Sequence, residues 1–189
     1  MRIIAGRMRG LKLAPVGKGD TDAHLRPTSD RVRESIFNLL MGWAYGDPVK
    51  GARVLDLFAG TGALGLEAVS RGAAHATFVD DGAKALSLIR KNIGLCRAQA
   101  DTQVLRRNAT RLGDCKGAPF DLIFVDPPYG KGLGEKALAS ATAGSWLGAD
   151  ALIVLEEGRS LPPPMGLELL DQRRYGDTII FMLKPQHRN

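Results

Sequence analysis

Two short stretches of the chain carry residue types suited to chemistry. The first is Asp56-Leu57-Phe58-Ala59-Gly60-Thr61-Gly62-Ala63-Leu64-Gly65. It contains a G-x-G-x-x-G run, and an acid, Asp80, follows Gly60 by about twenty residues, the arrangement that holds a nucleoside-bearing cofactor where a strand turns into a helix. The glycines permit tight turning and let the backbone approach a ligand closely. The second stretch is Asp126-Pro127-Pro128-Tyr129. Its prolines hold the backbone extended and carry no N–H, which leaves carbonyl groups free to accept. Asp126 adds a carboxylate. Tyr129 adds a flat face on which a base can stack, worth about 1–3 kcal/mol. Together the four residues fit a clamp for an exocyclic amine.

The glycines report a nucleoside without saying which. Asp56 discriminates. It lies at a strand end, where NAD would place a doubly negative pyrophosphate and meet repulsion of several kcal/mol. S-adenosylmethionine would instead place a cationic ammonium beside a cationic sulfonium, and the same carboxylate attracts both. As an isolated feature, Asp56 also reads as an acid bonded to backbone amides of the turn. Asp80 suits the ribose hydroxyls of either cofactor. Asn108 and the backbone at Ala109 stand where an adenine edge could be met, although Asn108 alone reads equally as a strand cap.

The second motif then supplies the acceptor side. An aromatic amine is a poor nucleophile because its lone pair is delocalised into the ring. Hydrogen bonds to Asp126 and the Pro127 carbonyl would draw the nitrogen towards a tetrahedral form and aim its lone pair, and positioning of this kind supplies much of a rate. A carboxylate also stabilises positive charge developing on that nitrogen. Guanine offers N1–H beside its N2 amine, so two donors meet one carboxylate. Adenine offers an acceptor there, which suits an amide better.

Such residues need a scaffold that brings two strand ends to one rim. The chain provides one from residue 52 onward. Strands are expected at Arg53 to Phe58, Ala76 to Asp80, Thr102 to Arg107, Asp121 to Asp126 and Ala151 to Glu156. Helices are expected over Gly62 to Arg71, residues 82 to 97 and part of 131 to 146. Leu167 to Arg174 and Thr178 to Leu183 flank a turn-like Tyr175-Gly176-Asp177 and predict an antiparallel pair. Repeated β-α units imply a Rossmann-like, doubly wound α/β sheet with ligands at the carboxyl ends of its strands.

Ahead of this lies a basic segment. Residues 1–19 hold Arg2, Arg7, Arg9, Lys12 and Lys18 and no acid. Arg2 to Gly6 and Met8 to Leu13 read as two short strands joined by a turn, which suits nucleic acid better than a loose tail. Residues 14–25 read as a mobile loop. A helix follows Arg26-Pro27, capped by Thr28 or Ser29, with Val32, Ile36, Leu39, Leu40 and Trp43 towards the core and Arg31 and Glu34 outward.

Composition bounds the rest. The chain has 189 residues, 44% of them hydrophobic, and a net charge of +6. That predicts one folded α/β domain with a modest extension and favours a polyanionic partner. No apolar run approaches a membrane span. Cys96 and Cys115 fit no metal or redox spacing, so no metal is expected and a cytoplasmic setting is the default.

These motifs resemble a known family. D-x-F-x-G-x-G-x-x-G-x-E from Asp56 to Glu67, with DPPY at 126–129, is similar to class I S-adenosylmethionine-dependent amino-methyltransferases. Arg2-Ile3-Ile4-Ala5-Gly6, Arg9-Gly10, Leu25-Arg26-Pro27-Thr28 and the run from Asp30 to Asn38 resemble the RsmD-type bacterial 16S ribosomal RNA guanine-N2-methyltransferases. The resemblance implies a seven-stranded sheet with an inserted antiparallel strand. It implies a donor site of Asp56, Phe58, Gly60, Thr61, Gly62, Asp80, Asn108 and Ala109, and a catalytic clamp of Asp126, Pro127, Pro128 and Tyr129. It implies an RNA-binding extension over residues 1–25, a methyltransferase domain over 26–189, and RNA contacts at Arg7, Arg9, Lys12, Arg26 and Arg31. Free N–H groups at the helix start after Pro27 would add a phosphate site. The expected substrate is an assembled or assembling small subunit, met by a monomer. Two departures stand out: the family often has Glu where this chain has Asp80, and an acid is common where it has Asn108. Adenine-N6 methylation of DNA, NAD(P)-dependent redox chemistry and a non-catalytic assembly role are the competing readings.

Overall fold

The computed structural model describes residues 1–16, 29–42 and 46–186. Arg26, Trp43 and most of the expected 14–25 loop lie outside them. Seven strands form one sheet: β1 (Arg53–Leu57), β2 (His75–Asp80), β3 (Thr102–Arg106), β4 (Phe120–Val125), β5 (Leu147–Glu157), β6 (Leu167–Tyr175) and β7 (Thr178–Pro185). Their order is β3-β2-β1-β4-β5-β7-β6. The first five run parallel, and β7 inserts antiparallel between β5 and β6. The chain steps outward from β1 to β3 and then returns to the other side of β1 with β4. That reversal is the topological switch point, where ligands bind in open α/β sheets.

Among the described residues, four α-helices cover the sheet: α1 (Asp30–Met41), α2 (Ala63–Ser70), α3 (Ala83–Cys96) and α4 (Leu133–Ala143). The strands' alternation divides the core in two. Val54, Phe78, Leu122, Phe124 and Val154 face one cluster with α1, α2 and α3; Leu55, Val79, Ile123, Val125 and Ile153 face the other with α4. Leu122 to Val125 are all buried, as expected for a central strand covered on both faces. No helix among the described residues is long and apolar enough to cross a membrane.

The N-terminal segment differs from the expected pair of strands. It forms a single antiparallel bridge between Arg2 and Lys12. Ile3 N–H donates to the Leu11 carbonyl at 2.9 Å and Gly10 N–H to the Ile3 carbonyl at 2.9 Å. The chain between is used for docking instead. Arg7 N–H donates to the Ser70 carbonyl (2.8 Å), Met8 N–H to Ser70 Oγ (2.9 Å), and Ser70 Oγ to the Ala5 carbonyl (2.6 Å). Gly6 has φ +79°, and a Cβ there would stand 1.9 Å from the Ser70 carbonyl oxygen. Ile3, Met8 and Leu13 are buried in the same core cluster as α1 to α3.

Helix α1 also departs from its expected pattern. Ser29 caps it, its Oγ accepting from Val32 N–H at 3.2 Å. The buried residues are Arg33, Ile36, Phe37 and Leu40, while Val32 and Leu39 are half-buried. Arg31 and Glu34 face outward as expected.

Candidate active site

The two motifs meet at the switch point. Leu57 pairs with Val79 of β2 on one side and Val125 of β4 on the other, so the loops leaving β1, β2 and β4 share one rim. Asp126 N–H donates to the Leu57 carbonyl at 3.4 Å, which sets the DPPY loop directly against the glycine loop.

The glycine loop is built from strained and glycine-dependent turns. Phe58 has φ +59°, a left-handed conformation that costs a residue with a Cβ of order 1–3 kcal/mol and recurs at ligand clamps. Gly62 caps α2 with φ +76°. A Cβ on Gly65 would stand 2.4 Å from Phe78 Cε1 and 3.1 Å from Asp56 Oδ2, so only glycine lets α2 approach β2 this closely.

Asp56 is 1% exposed, and its Oδ2 accepts from Gly65 N–H at 2.9 Å. Burial pushes its carboxyl up to about 8, against the lowering effect of the Gly65 amide; nearby Asp80 pushes it further up. Asp80 Oδ2 accepts from Gly60 N–H and Oδ1 from Gly82 N–H, each at 2.9 Å, and burial raises its carboxyl as well. It thus braces the glycine loop while each oxygen retains a further lone pair.

Thr61 faces inward. Its hydroxyl lies 3.7 Å from Met1 Sδ, and its carbonyl accepts from Asn92 Nδ2 at 2.8 Å. Asn92 Oδ1 in turn accepts from Ala14 N–H at 2.8 Å. The basic segment is therefore tied to the loop through a buried amide. Asn108 serves locally: its Oδ1 accepts from Thr110 N–H (2.8 Å) and Thr110 Oγ1 (2.6 Å), capping a short 3-10 turn. Ala109 is buried in the core on the α4 side.

On the acceptor side, Pro127 is buried and Asp126, Pro128 and Tyr129 are half-buried. A Cβ on Gly134, at the start of α4, would stand 3.4 Å from Pro127 Cγ and 3.3 Å from Glu157 Oε1. Burial and the nearby Glu135 carboxylate raise the Glu157 carboxyl. Tyr129 donates its hydroxyl proton to Glu156 Oε1 at 2.5 Å.

The expected RNA contacts are unequal. Arg9, Lys12 and Arg31 are exposed. Arg7 is engaged in an ion pair with Asp101. The phosphate site expected at the start of α1 is compromised, because Ser29 Oγ already takes the Val32 N–H and Asp30 places a carboxylate in the first turn.

Two residues without an expected role prove central to the architecture. Glu67 and Arg33 are both fully buried. Glu67 accepts from Ile4 N–H (2.7 Å), Ala5 N–H (3.0 Å) and Arg71 Nε (2.8 Å), and pairs with Arg33 Nε at 3.8 Å. Arg33 also donates to the Arg2 carbonyl and to Asp30 Oδ1. Glu67 closes the D-x-F-x-G-x-G-x-x-G-x-E stretch, and that placement was the only signal of its importance.

Known proteins resemble this chain over most of its length. The family described as conserved hypothetical protein 95 matches residues 1–184. Ribosomal RNA small subunit methyltransferase D of Escherichia coli K12 is 43% identical over 158 residues, covering 82% of this chain and 74% of that protein. The protein of the same name from Haemophilus influenzae is 35% identical over 181 residues, covering 93% and 89%. A solved Escherichia coli structure, provisionally described as a methyltransferase, superposes with a TM-score of 0.81 at 35% identity over 100% of this chain and 99% of that one.

Proposed function

Since this chain belongs to the conserved hypothetical protein 95 family, alongside the methyltransferase D proteins it resembles, we propose that it methylates the exocyclic N2 amine of one guanine in 16S ribosomal RNA. The donor in this reading is S-adenosylmethionine, and the substrate is an assembled or assembling small subunit. The observation that carries the proposal is the contact between Asp126 N–H and the Leu57 carbonyl, because it sets a donor loop and an amine clamp side by side.

The residues fit that donor. A carboxylate buried as deeply as Asp56 is unfavourable without a cation, and the methionine portion of S-adenosylmethionine carries one. In its ionised form the same residue would repel a pyrophosphate. Asp80 would accept from the ribose hydroxyls, with Phe58, Gly60, Thr61 and Gly62 forming the wall and Asn108 and Ala109 flanking the base. When bound, S-adenosylmethionine supplies an electrophilic methyl group on a sulfonium.

The chain's own residues then handle the acceptor. Asp126 and the Pro127 carbonyl accept from the amine and orient its lone pair. The Asp126 carboxylate stabilises the charge that develops on nitrogen. Pro127 and Pro128 keep the clamp rigid, and Tyr129 stacks on the base. The guanine must be unpaired or flipped to arrive there. Residues 1–25 contact the RNA backbone through Arg9 and Lys12, and Arg7, Arg26 and Arg31 serve as further RNA contacts; such contacts set register without selecting the base.

Incubation with labelled S-adenosylmethionine and undermodified small subunits tests the proposal. Labelled N2-methylguanine is expected in the 16S RNA. Donor binding without any such product, or label on adenine, rejects it.

A further inference from the structure

Tyr129 ends the acceptor motif, and its hydroxyl is anchored on two strands. It donates to Glu156 Oε1 at 2.5 Å and lies 3.1 Å from Thr178 Oγ1. Glu156 comes from β5 and is buried; Thr178 opens β7. Gly158 leaves room for the ring, since a Cβ there would stand 2.7 Å from Tyr129 Cδ2 and 3.3 Å from Cγ. Burial and the bond to Glu156 hold the phenol above its ordinary range, so it stays a donor at physiological pH.

We infer that Glu156, Thr178 and Gly158 form a seat that holds the Tyr129 ring in place, which makes Glu156 and Thr178 positioning residues for the acceptor base. The inference rests on the reading of Tyr129 as the surface on which that base stacks. The hydroxyl lies on the axis about which the ring turns, so its bonds hold the tip and direction of the side chain, while the close approach of Gly158 limits the turning of the ring. The loop beyond it is permissive, with Gly130 at φ +78° and Gly132 at φ +62°. A side chain free to swing must be immobilised when the base arrives. That cost falls on affinity, about two- to tenfold for one side chain. A short O–H···O⁻ bond is among the stronger hydrogen bonds and orders the ring in advance. The seat also gives the inserted antiparallel strand a task at the site: the first residue of β7 holds the tip of a side chain from the β4 loop.

Steady-state methylation of undermodified small subunits tests this, with donor affinity by calorimetry and the melting temperature measured beside it. Glu156→Leu is expected to raise KM for the subunit about three- to tenfold and Thr178→Val less. kcat, donor Kd and the melting temperature should stay near the wild-type values. Glu156→Gln, which keeps an acceptor, should recover most of the loss. Tyr129→Phe should raise KM as Glu156→Leu does, and the double variant no further. Additive losses in the double variant overturn the seat, as does a KM unchanged in both Glu156→Leu and Thr178→Val. A loss that appears equally in donor affinity also overturns it. Should Glu156→Leu lower the melting temperature, Thr178→Val carries the test, because it keeps the side-chain shape. A wild type that methylates no guanine overturns the acceptor reading itself; an active wild type with silent seat variants overturns the seat alone.

Discussion

In the proposed reading Asp56 selects the donor, and its protonation makes that role measurable. Burial raises its folded-state carboxyl to about 8 from an unfolded value of 3.8. A raised carboxyl favours the protonated form, so its contribution to stability is present at low pH and is lost as pH rises from about 3.8 towards 8. A cationic ligand reverses the preference, because the ionised carboxylate attracts it. Donor binding should therefore expel a proton from Asp56 below pH 8. Affinity should rise with pH by up to about tenfold per unit on that limb. It should turn over near pH 8, where an α-amino group with a pKa of about 7.7–8.0 loses its own charge. Calorimetry from pH 6 to 9 in buffers of different ionisation enthalpy reads both the affinity and the proton. Asp56→Asn should bind the donor more weakly and lose the acid limb. A wild-type Kd that is flat between pH 6 and 7.5 contradicts this account of the site. Gly65 gives a second test at the same scale. Gly65→Ala would push a methyl into Phe78 and against Asp56, and overpacking of this kind costs about 1–3 kcal/mol. The variant should show both a lower melting temperature and a weaker donor Kd.

At the scale of elements, helix α2 does two jobs within about two turns: its start follows the glycine loop, and Glu67 and Ser70 hold the N-terminal segment. Removing one partner of a buried ion pair leaves the other charge uncompensated and costs about 3–5 kcal/mol. Glu67→Ala removes one of the two carboxylates beside Arg33, leaving Asp30, and frees the Ile4 and Ala5 amides together. It should lower the melting temperature by roughly 6–20 °C, at about 2–4 °C per kcal/mol for a chain of this size. Limited proteolysis should cut the variant ahead of residue 16 before the sheet domain opens. Protection equal to wild type in that segment would show that its apolar side chains suffice to dock it. This cluster also marks what the sequence hides. The β-α alternation, the central strand at 120–125 and the rim placement of both motifs were legible, because period and turn residues are local signals. Arg33 sits in the polar run Asp30-Arg31-Val32-Arg33-Glu34, and its burial depends on Glu67 from another element. No periodicity within one helix encodes a partner on a second one. The N-terminal pair of strands was over-read for the same reason: two short runs and a turn between them were visible, whereas the Ser70 contacts that dock the intervening chain were not. Asn108 shows the converse. Its capping of Thr110 is a local event and was among the readings open from the start.

For the whole molecule, net charge matters less than which charges are free to meet RNA. The chain carries +6, but several of its cations already serve the fold. Arg33 and Arg71 are held by Glu67, Arg7 pairs with Asp101, and the Arg107 Nη1 donates to the Leu112 carbonyl. Arg9 and Lys12 are exposed beside the bridge that closes the N-terminal segment, and that segment is tied through Asn92 to the donor loop. If the N-terminal edge is the RNA face, as proposed, its docking would fix where the RNA backbone lies relative to the DPPY loop. Binding through phosphates releases counterions, so log affinity falls with log salt by about 0.7 per contact on single strands and about 0.9 on duplex. Arg9→Ala combined with Lys12→Ala should reduce the slope by about 1.4 to 1.8 if each side chain neutralises one phosphate. Arg7→Ala should reduce it less, because the Asp101 ion pair must be broken before Arg7 can serve a phosphate. Donor affinity measured without RNA should be unchanged in the double variant, since neither side chain reaches the glycine loop. Filter binding of small subunits across a salt series makes the measurement. A slope identical to wild type in the double variant would move the RNA face away from the N-terminal edge while leaving the two rim motifs intact.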